Sequence, residues 1–262
     1  MRAIPNKSLG QHWLHDLYSL CSMADAAHIG PKDTVLEIGP GLGTLTAELA
    51  GRAKQVISVE FDPELAAGLA ARVPARNMRV VHQDILKFDL TSLPRDYKVA
   101  ANLPYYITSK IVRMLLESPN PPLESALLVQ REVAERMAAR PGDMSILAVA
   151  VQYYAEPTLG PEVPAELFTP SPKVDSQIIG LKRRPEPLFK DVELDDYFRV
   201  VRAGFGEKRK ILRNSLSGGL HIEKSESEAL LQSARISPQA RAEELSLQDW
   251  HAICMARKSI CL

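Results

Sequence analysis

Apolar and polar positions along the chain alternate between two periods. Val35, Leu36 and Ile38 form a short apolar run, and Leu42, Leu45 and Leu49 then recur at helical spacing. This predicts a buried strand that turns through glycines into an amphipathic helix over Thr34–Ala50. Ahead of it, Leu17, Leu20, Cys21 and Ala24 share one face of a predicted short helix. After it come strands at 56–59, 78–82, 99–101 and 125–129, with helices between them. Asp62-Pro63 marks a helix start, with a capping carboxylate and a proline at the first helical position. A helix is predicted over 132–139, and 145–154 is apolar enough for helix or strand. The proline-dense stretch 157–172 is expected to be an extended loop, and 177–181 closes the sheet. Strand and helix in alternation predict an α/β fold with a mainly parallel sheet. Beyond the linker 182–187 the pattern is helical, with segments near 197–205, 225–235 and 247–256.

Composition narrows this picture only slightly. The 262 residues suit one large and one small domain, here 1–184 and 185–262. Lys+Arg and Asp+Glu both number 32, so any nucleic-acid footprint must be local. The local candidate is Lys208, Arg209, Lys210 and Arg213, which read equally as a phosphate-binding patch or a solvated helix face. Three scattered cysteines lack a C-x-x-C, which argues against a disulfide framework or zinc site and fits a reducing cytoplasm. No stretch reaches membrane-span length.

Candidate chemistry gathers at the carboxyl ends of the predicted strands, the rim where open α/β sheets bind ligands. Gly39, Gly41 and Gly43 follow the first strand as G-x-G-x-G, which is neither the dinucleotide fingerprint nor a P-loop. Glu60 ends the second strand, where its two oxygens could accept from ribose hydroxyls. Asp84, beside Ile85, ends the third and could accept from an adenine amino group. Asn102-Leu103-Pro104-Tyr105 ends the fourth. An amide acceptor, a stiffened backbone and an aromatic face suit a planar base bearing an exocyclic amine. Phe168 lies between prolines, either as an exposed aromatic or as a core plug.

In order, LGQHWL, EIGPGLG, VEFD, QDI, NLPY, FTPSPKVDS and FGEKRKILRNSL resemble the KsgA-type ribosomal RNA adenine dimethyltransferases over nearly the whole chain. The resemblance implies a class I, Rossmann-like methyltransferase domain with a mainly parallel seven-stranded sheet and a small all-helical C-terminal domain. It implies S-adenosyl-L-methionine as methyl donor, no metal, and a cytoplasmic monomer acting on 16S rRNA in the immature small ribosomal subunit. The expected reaction is N6,N6-dimethylation of two adjacent adenines near the 3′ end. Carried onto this sequence, His12 and Leu14 close over the donor, Gly39 and Gly41 pass beside it, Glu60 holds its ribose, and Asp84 and Ile85 its adenine. Asn102 faces donor and target, Leu103 and Pro104 shape the pocket, and Tyr105 and Phe168 sandwich the target base. The family usually has Asn-Phe where this chain has His12-Trp13, and often Asn where it has Tyr106. Two alternatives share these motifs: a resistance-type methyltransferase of a large-subunit rRNA adenine, and a non-catalytic ribosome-assembly factor.

Overall fold

The computed structural model describes residues 9–207 and 209–260, with only the backbone at Ile260. Its strands are β1 (Trp13–Leu14), β2 (Thr34–Ile38), β3 (Gln55–Glu60), β4 (Met78–His82), β5 (Lys98–Asn102), β6 (Glu124–Gln130), β7 (Ala155–Val163), β8 (Phe168–Thr169) and β9 (Ser176–Arg183). Helices α1 (Leu17–Ala26), α2 (Thr44–Arg52), α3 (Pro63–Arg72) and α4 (Thr108–Leu116) lie between the strands up to β6, and α5 (Arg131–Met137) follows β6. Then come α6 (Ile146–Tyr154), α7 (Leu194–Phe205), α8 (Leu212–Leu220), α9 (Lys224–Ser233) and α10 (Leu247–Ile260).

Seven strands form one sheet in the order β4-β3-β2-β5-β6-β9-β7. The first five run parallel, and β9 runs against both neighbours. Because βα connections carry the parallel strands, both faces are covered and the central strands are mainly apolar, with Glu37 and Ser58 as buried exceptions. Val35, Leu36, Val99, Ala100 and Leu127 are each 0% exposed. The capping expected at Asp62 is present: its side chain accepts from the Glu64 and Leu65 amides, with Pro63 opening α3. Chain reversals at the carboxyl ends of β2, β3, β4 and β5 bring their loops to one edge.

Part of the segment expected to be a proline-rich loop is a strand. Residues 155–163 form β7, which pairs with β9 alone, at the sheet's edge. A proline lacks the N–H a central strand must donate, but an edge strand tolerates it on its unpaired side or at an irregularity. The register shift between Leu159 and Glu162 spans Pro161 and Gly160.

The chain divides into two compact units, 1–135 with 155–183, and 136–154 with 184–262. The sequence-based boundary at 184/185 differs in placing 136–154 with the sheet. In the structure Met144, Ala148, Val149 and Tyr153 join the apolar core of the helical unit, with Tyr197, Val200, Leu216, Leu231 and Trp250. The sheet unit has its own core, which includes Leu20, Met23, Leu49, Leu128 and Ile178.

Candidate active site

The β2–α2 turn depends on its glycines. Gly39, Gly41 and Gly43 have φ of 69°, 58° and 90°, the left-handed region that other L-residues enter only with strain. A Cβ at Gly43 would come within 2.6 Å of Val73 Cγ2 and 2.8 Å of Leu69 Cδ1, so this glycine lets α2 pack on α3. A Cβ at Gly39 would meet nothing within 4 Å, because that backbone faces open cavity. At Gly41 the indole of Trp13 lies 3.2 Å from the Cβ position, so Trp13 forms a wall over the turn. Its Nε1 is buried without a hydrogen-bond partner among the described residues.

Two carboxylates support the turn in different ways. Glu37, 1% exposed on β2, accepts from Thr46 Oγ1 at 3.0 Å and Ser58 Oγ at 2.6 Å. Burial raises its carboxyl to about pKa 7, against the two hydroxyl bonds. It ties β2 to β3 and α2 and lies outside the cavity lining. Glu60, 6% exposed at the end of β3, does line the cavity. Its Oε2 accepts from the Gly41 amide at 3.0 Å and its Oε1 from the Asp62 amide at 2.9 Å. Burial pushes its carboxyl up, and backbone bonds from Asp62, Gly41 and Phe61 partly oppose this.

These elements surround a cavity of about 300 Å³. Leu14, Gly39, Gly41, Glu60, Asp84, Ile85, Asn102, Leu103, Pro104 and Tyr105, all singled out by sequence, line it together with His12. Asp84 caps the short turn Ile85–Lys87 by accepting from the Leu86 amide at 3.0 Å. Asn102 Nδ2 donates to the His12 carbonyl at 3.0 Å, and among the described residues nothing donates to its Oδ1. The Tyr105 hydroxyl is 2.9 Å from Ser176 Oγ, and burial raises its pKa. The N-terminal segment is fastened over this edge. Thr44 Oγ1 donates to the Leu14 carbonyl at 2.8 Å, and β1 pairs antiparallel with β8.

Two expectations are not met. Phe168, expected opposite Tyr105, is 4% exposed, pairs with Leu14 in the β1–β8 ladder, and packs in the core with Leu20 and Ile178. It is absent from the cavity lining, and the ring stacked on Tyr105 is that of His12, 18° from parallel with centroids 6.0 Å apart. The core-plug reading of Phe168 prevails because the β1–β8 pairing turns its side chain inward. The basic cluster is also not uniform. Lys208 lies outside the described residues. Arg209 and Lys210 are exposed, but Arg213 is half-buried and pairs with Glu228 at 3.1 Å. That acid is fifteen residues away in sequence, so local charge counting missed it. Sequence reasoning also gave no role to Ser176, although it falls within the VDS of FTPSPKVDS, nor to Trp13.

A family model described as "Ribosomal RNA adenine dimethylase" matches residues 4–257. The chain belongs to this family. Among relatives, a protein named ribosomal RNA small subunit methyltransferase A from Moorella thermoacetica is 45% identical, over 95% of this chain and 91% of the relative. One of the same name from Dehalococcoides mccartyi is 43% identical, over 95% of this chain and 87% of the relative. Among solved structures, a Plasmodium falciparum dimethyladenosine transferase aligns with TM-score 0.82 at 26% identity, covering 96% of this chain and 99% of that one. The 23S rRNA methyltransferase ErmE aligns at TM-score 0.78 and 33% identity, covering 93% and 98%. The dimethylase family's Rossmann-like methyltransferase fold is thus the fold of this chain.

The cavity suits a nucleoside-type methyl donor. The open space at Gly39, which a Cβ would fill, lets a ligand lie against the main chain. Carboxylates end the adjacent strands β3 and β4, with apolar Phe61, Ile85 and Leu86 beside them. Among the described residues, no three His, Cys, Asp or Glu side chains gather as a metal-binding group, and no helix is long and apolar enough to cross a membrane.

Proposed function

We propose that this protein transfers methyl groups from S-adenosyl-L-methionine to N6 of two adjacent adenines near the 3′ end of 16S rRNA, in the immature small subunit. The observation that carries this reading is one cavity shared by the glycine turn, the two strand-end carboxylates and Asn102–Tyr105. The curated relatives at 39–45% identity carry small-subunit names, whereas the large-subunit enzyme ErmE is 33% identical. An intact donor cavity also favours an enzyme over an assembly factor that only binds RNA.

The donor, when bound, supplies an electrophilic methyl group on a sulfonium. Glu60 holds the ribose hydroxyls and Asp84 the adenine amino group of the donor. Gly39 and Gly41 line its path, Ile85 packs beside its base, and His12 and Leu14 belong to the segment that covers it. For the target base, Asn102 is the central residue. Adenine N6 is a weak nucleophile because its lone pair is delocalised into the ring. Asn102 Oδ1 and the Leu103 carbonyl accept its N–H groups, favouring a tetrahedral nitrogen with its lone pair directed at the methyl. Pro104 stiffens this loop, and Tyr105 offers a face held in place by Ser176. Catalysis by this set is positioning with hydrogen bonds that strengthen in the transition state. Arg209 and Lys210 bind RNA phosphates, with Lys208 between them and Glu207 in sequence.

The test is transfer of labelled methyl from S-adenosyl-L-methionine to immature small subunits, mature small subunits and large subunits. Incorporation into two adjacent small-subunit adenines, greatest in immature particles, is expected. Incorporation into large-subunit RNA alone would assign the ErmE-type activity instead, and none into any particle would leave a binding factor.

A further inference from the structure

Among the described residues, three large apolar side chains line the cavity and are also exposed: Phe61 at 57%, Leu86 at 40% and Tyr106 at 62%. Phe61 follows Glu60 and Leu86 follows Ile85, so both belong to the side assigned to the donor. Tyr106 follows Tyr105, on the side assigned to the target base.

The backbone fixes where this ring sits. The Pro104 carbonyl accepts from the Ile107 amide at 3.2 Å and from Thr108 Oγ1 at 3.2 Å, so a bonded turn carries both tyrosines into α4. Within that turn the two differ. The Tyr105 hydroxyl is 2.9 Å from Ser176 Oγ, and its ring is stacked with that of His12. Tyr106 has neither a hydrogen bond nor a ring partner among the described residues. Its Cδ1 and Cε1 lie 3.5 Å from a Cβ position at Gly10, so one edge of the ring rests against a residue without a side chain. The first turn of α4 then presents Lys110, exposed and without an acidic partner among the described residues. Aromatic surface beside an unneutralised cation is what single-stranded nucleic acid binds.

An adenine drawn into the cavity leaves its stack, and the base beside it loses a partner. The covalent chain keeps that base at the cavity mouth, where Tyr106 lies. Resting on the adenine N6-methyltransferase reading above, we propose that Tyr106 is a positioning residue for the RNA: the base adjoining the target adenine stacks on its ring. The ring replaces the stacking that the neighbour lost, which lowers the cost of drawing the target out. The two target adenines are adjacent, so for one of them the base on Tyr106 is the other adenine.

The test measures methyl transfer by the full chain to immature small subunits. Tyr106→Ala should lower kcat/KM about 5- to 150-fold, the range for losing one stacked base. Tyr106→Phe keeps the flat face and should stay near the wild type. Neither variant should change the urea unfolding midpoint or the calorimetric affinity for S-adenosyl-L-methionine. Subunits are then reconstituted with uracil in place of one target adenine or the other. Uracil's single ring stacks less than the fused rings of adenine. With one of these placements, the loss caused by Tyr106→Ala at the remaining adenine should therefore shrink severalfold. A wild-type kcat/KM in Tyr106→Ala, or an equal loss in Tyr106→Phe, would overturn the proposal. Weakened donor affinity would assign the ring to the donor instead. A loss in Tyr106→Ala that is equal on all three kinds of subunit would reduce the ring to a support for Gly10, which also overturns it. If the wild type methylates no rRNA adenine, the functional reading fails and this one with it.

Discussion

At the scale of single residues, the two buried carboxylates beside the glycine turn, Glu37 and Glu60, have different consequences. Glu37 stabilises the turn only while neutral. Its carboxyl is raised from 4.5 to about 7, so the folded state binds its proton more tightly than the unfolded chain. Its contribution is therefore complete below pH 4.5 and is lost as pH rises toward 7, by on the order of 3 kcal/mol at 1.36 per unit. Glu37→Gln should remove that slope, gaining on the wild type between pH 5 and 8 in urea unfolding. Parallel pH dependence in the two proteins would place the titration elsewhere. Glu60 already holds two backbone amides, and one acceptor site on each oxygen remains for ribose. Glu60→Ala should weaken donor binding by roughly 1–3 kcal/mol, and unchanged calorimetric affinity in a folded variant rules out that role. Asn102→Ala removes Oδ1 while leaving glycine turn and basic residues in place. It should lower methyl incorporation by about 100- to 1000-fold, the scale for losing one preorganised catalytic hydrogen-bonding group. Subunit binding should stay near that of the wild type. Methylation at the wild-type rate would refute the positioning mechanism.

At the scale of elements, the glycine turn separates two kinds of need. Gly43 is required by packing and Gly39 by open space. Gly43→Ala should cost on the order of 3 kcal/mol of stability from overpacking and left-handed strain. Gly39→Ala should lose donor affinity with a smaller stability loss, read by chemical unfolding and calorimetry on both variants. Equal losses in stability would mean that both glycines serve only the fold. This distinction was invisible in G-x-G-x-G, which shows where positive φ is needed but not what faces each Cα. The strands themselves were legible: β2 holds the predicted run of Val35, Leu36 and Ile38, because buried parallel strands read as apolar runs between turn signals. β7 was missed because prolines at 157 and 161 mimic a loop until an edge position is known. Phe168 left its expected place opposite Tyr105 for a similar reason. Which side of a two-residue strand faces the core depends on a partner 154 residues away, Leu14 for Phe168, which local pattern does not encode.

At the scale of the whole molecule, helix α6 shows what local pattern omits. The run 145–154 is apolar enough to join either core, and tertiary packing places it with α7 to α10. Charge has the same dependence on tertiary context. Thirty-two basic and thirty-two acidic residues cancel, so affinity for a polyanion must come from cations that lack an acidic partner in the fold. Sequence spacing grouped Arg213 with Arg209 and Lys210, but Glu228 neutralises Arg213 within the helical unit. The exposed pair and the bridged arginine should therefore respond differently to salt. Each phosphate contact adds about 0.7–0.9 to the slope of log affinity against log salt. Neutralising Arg209 and Lys210 together should lower that slope by about 1.4–1.8, with donor affinity unchanged. Arg213→Gln should leave the slope near wild type and act on the stability of the helical unit instead. Filter binding of small subunits across a salt series measures both. A wild-type slope in the double variant would make these cations a solvated surface. A slope lowered as much by Arg213→Gln would mean that Glu228 yields its partner to the RNA.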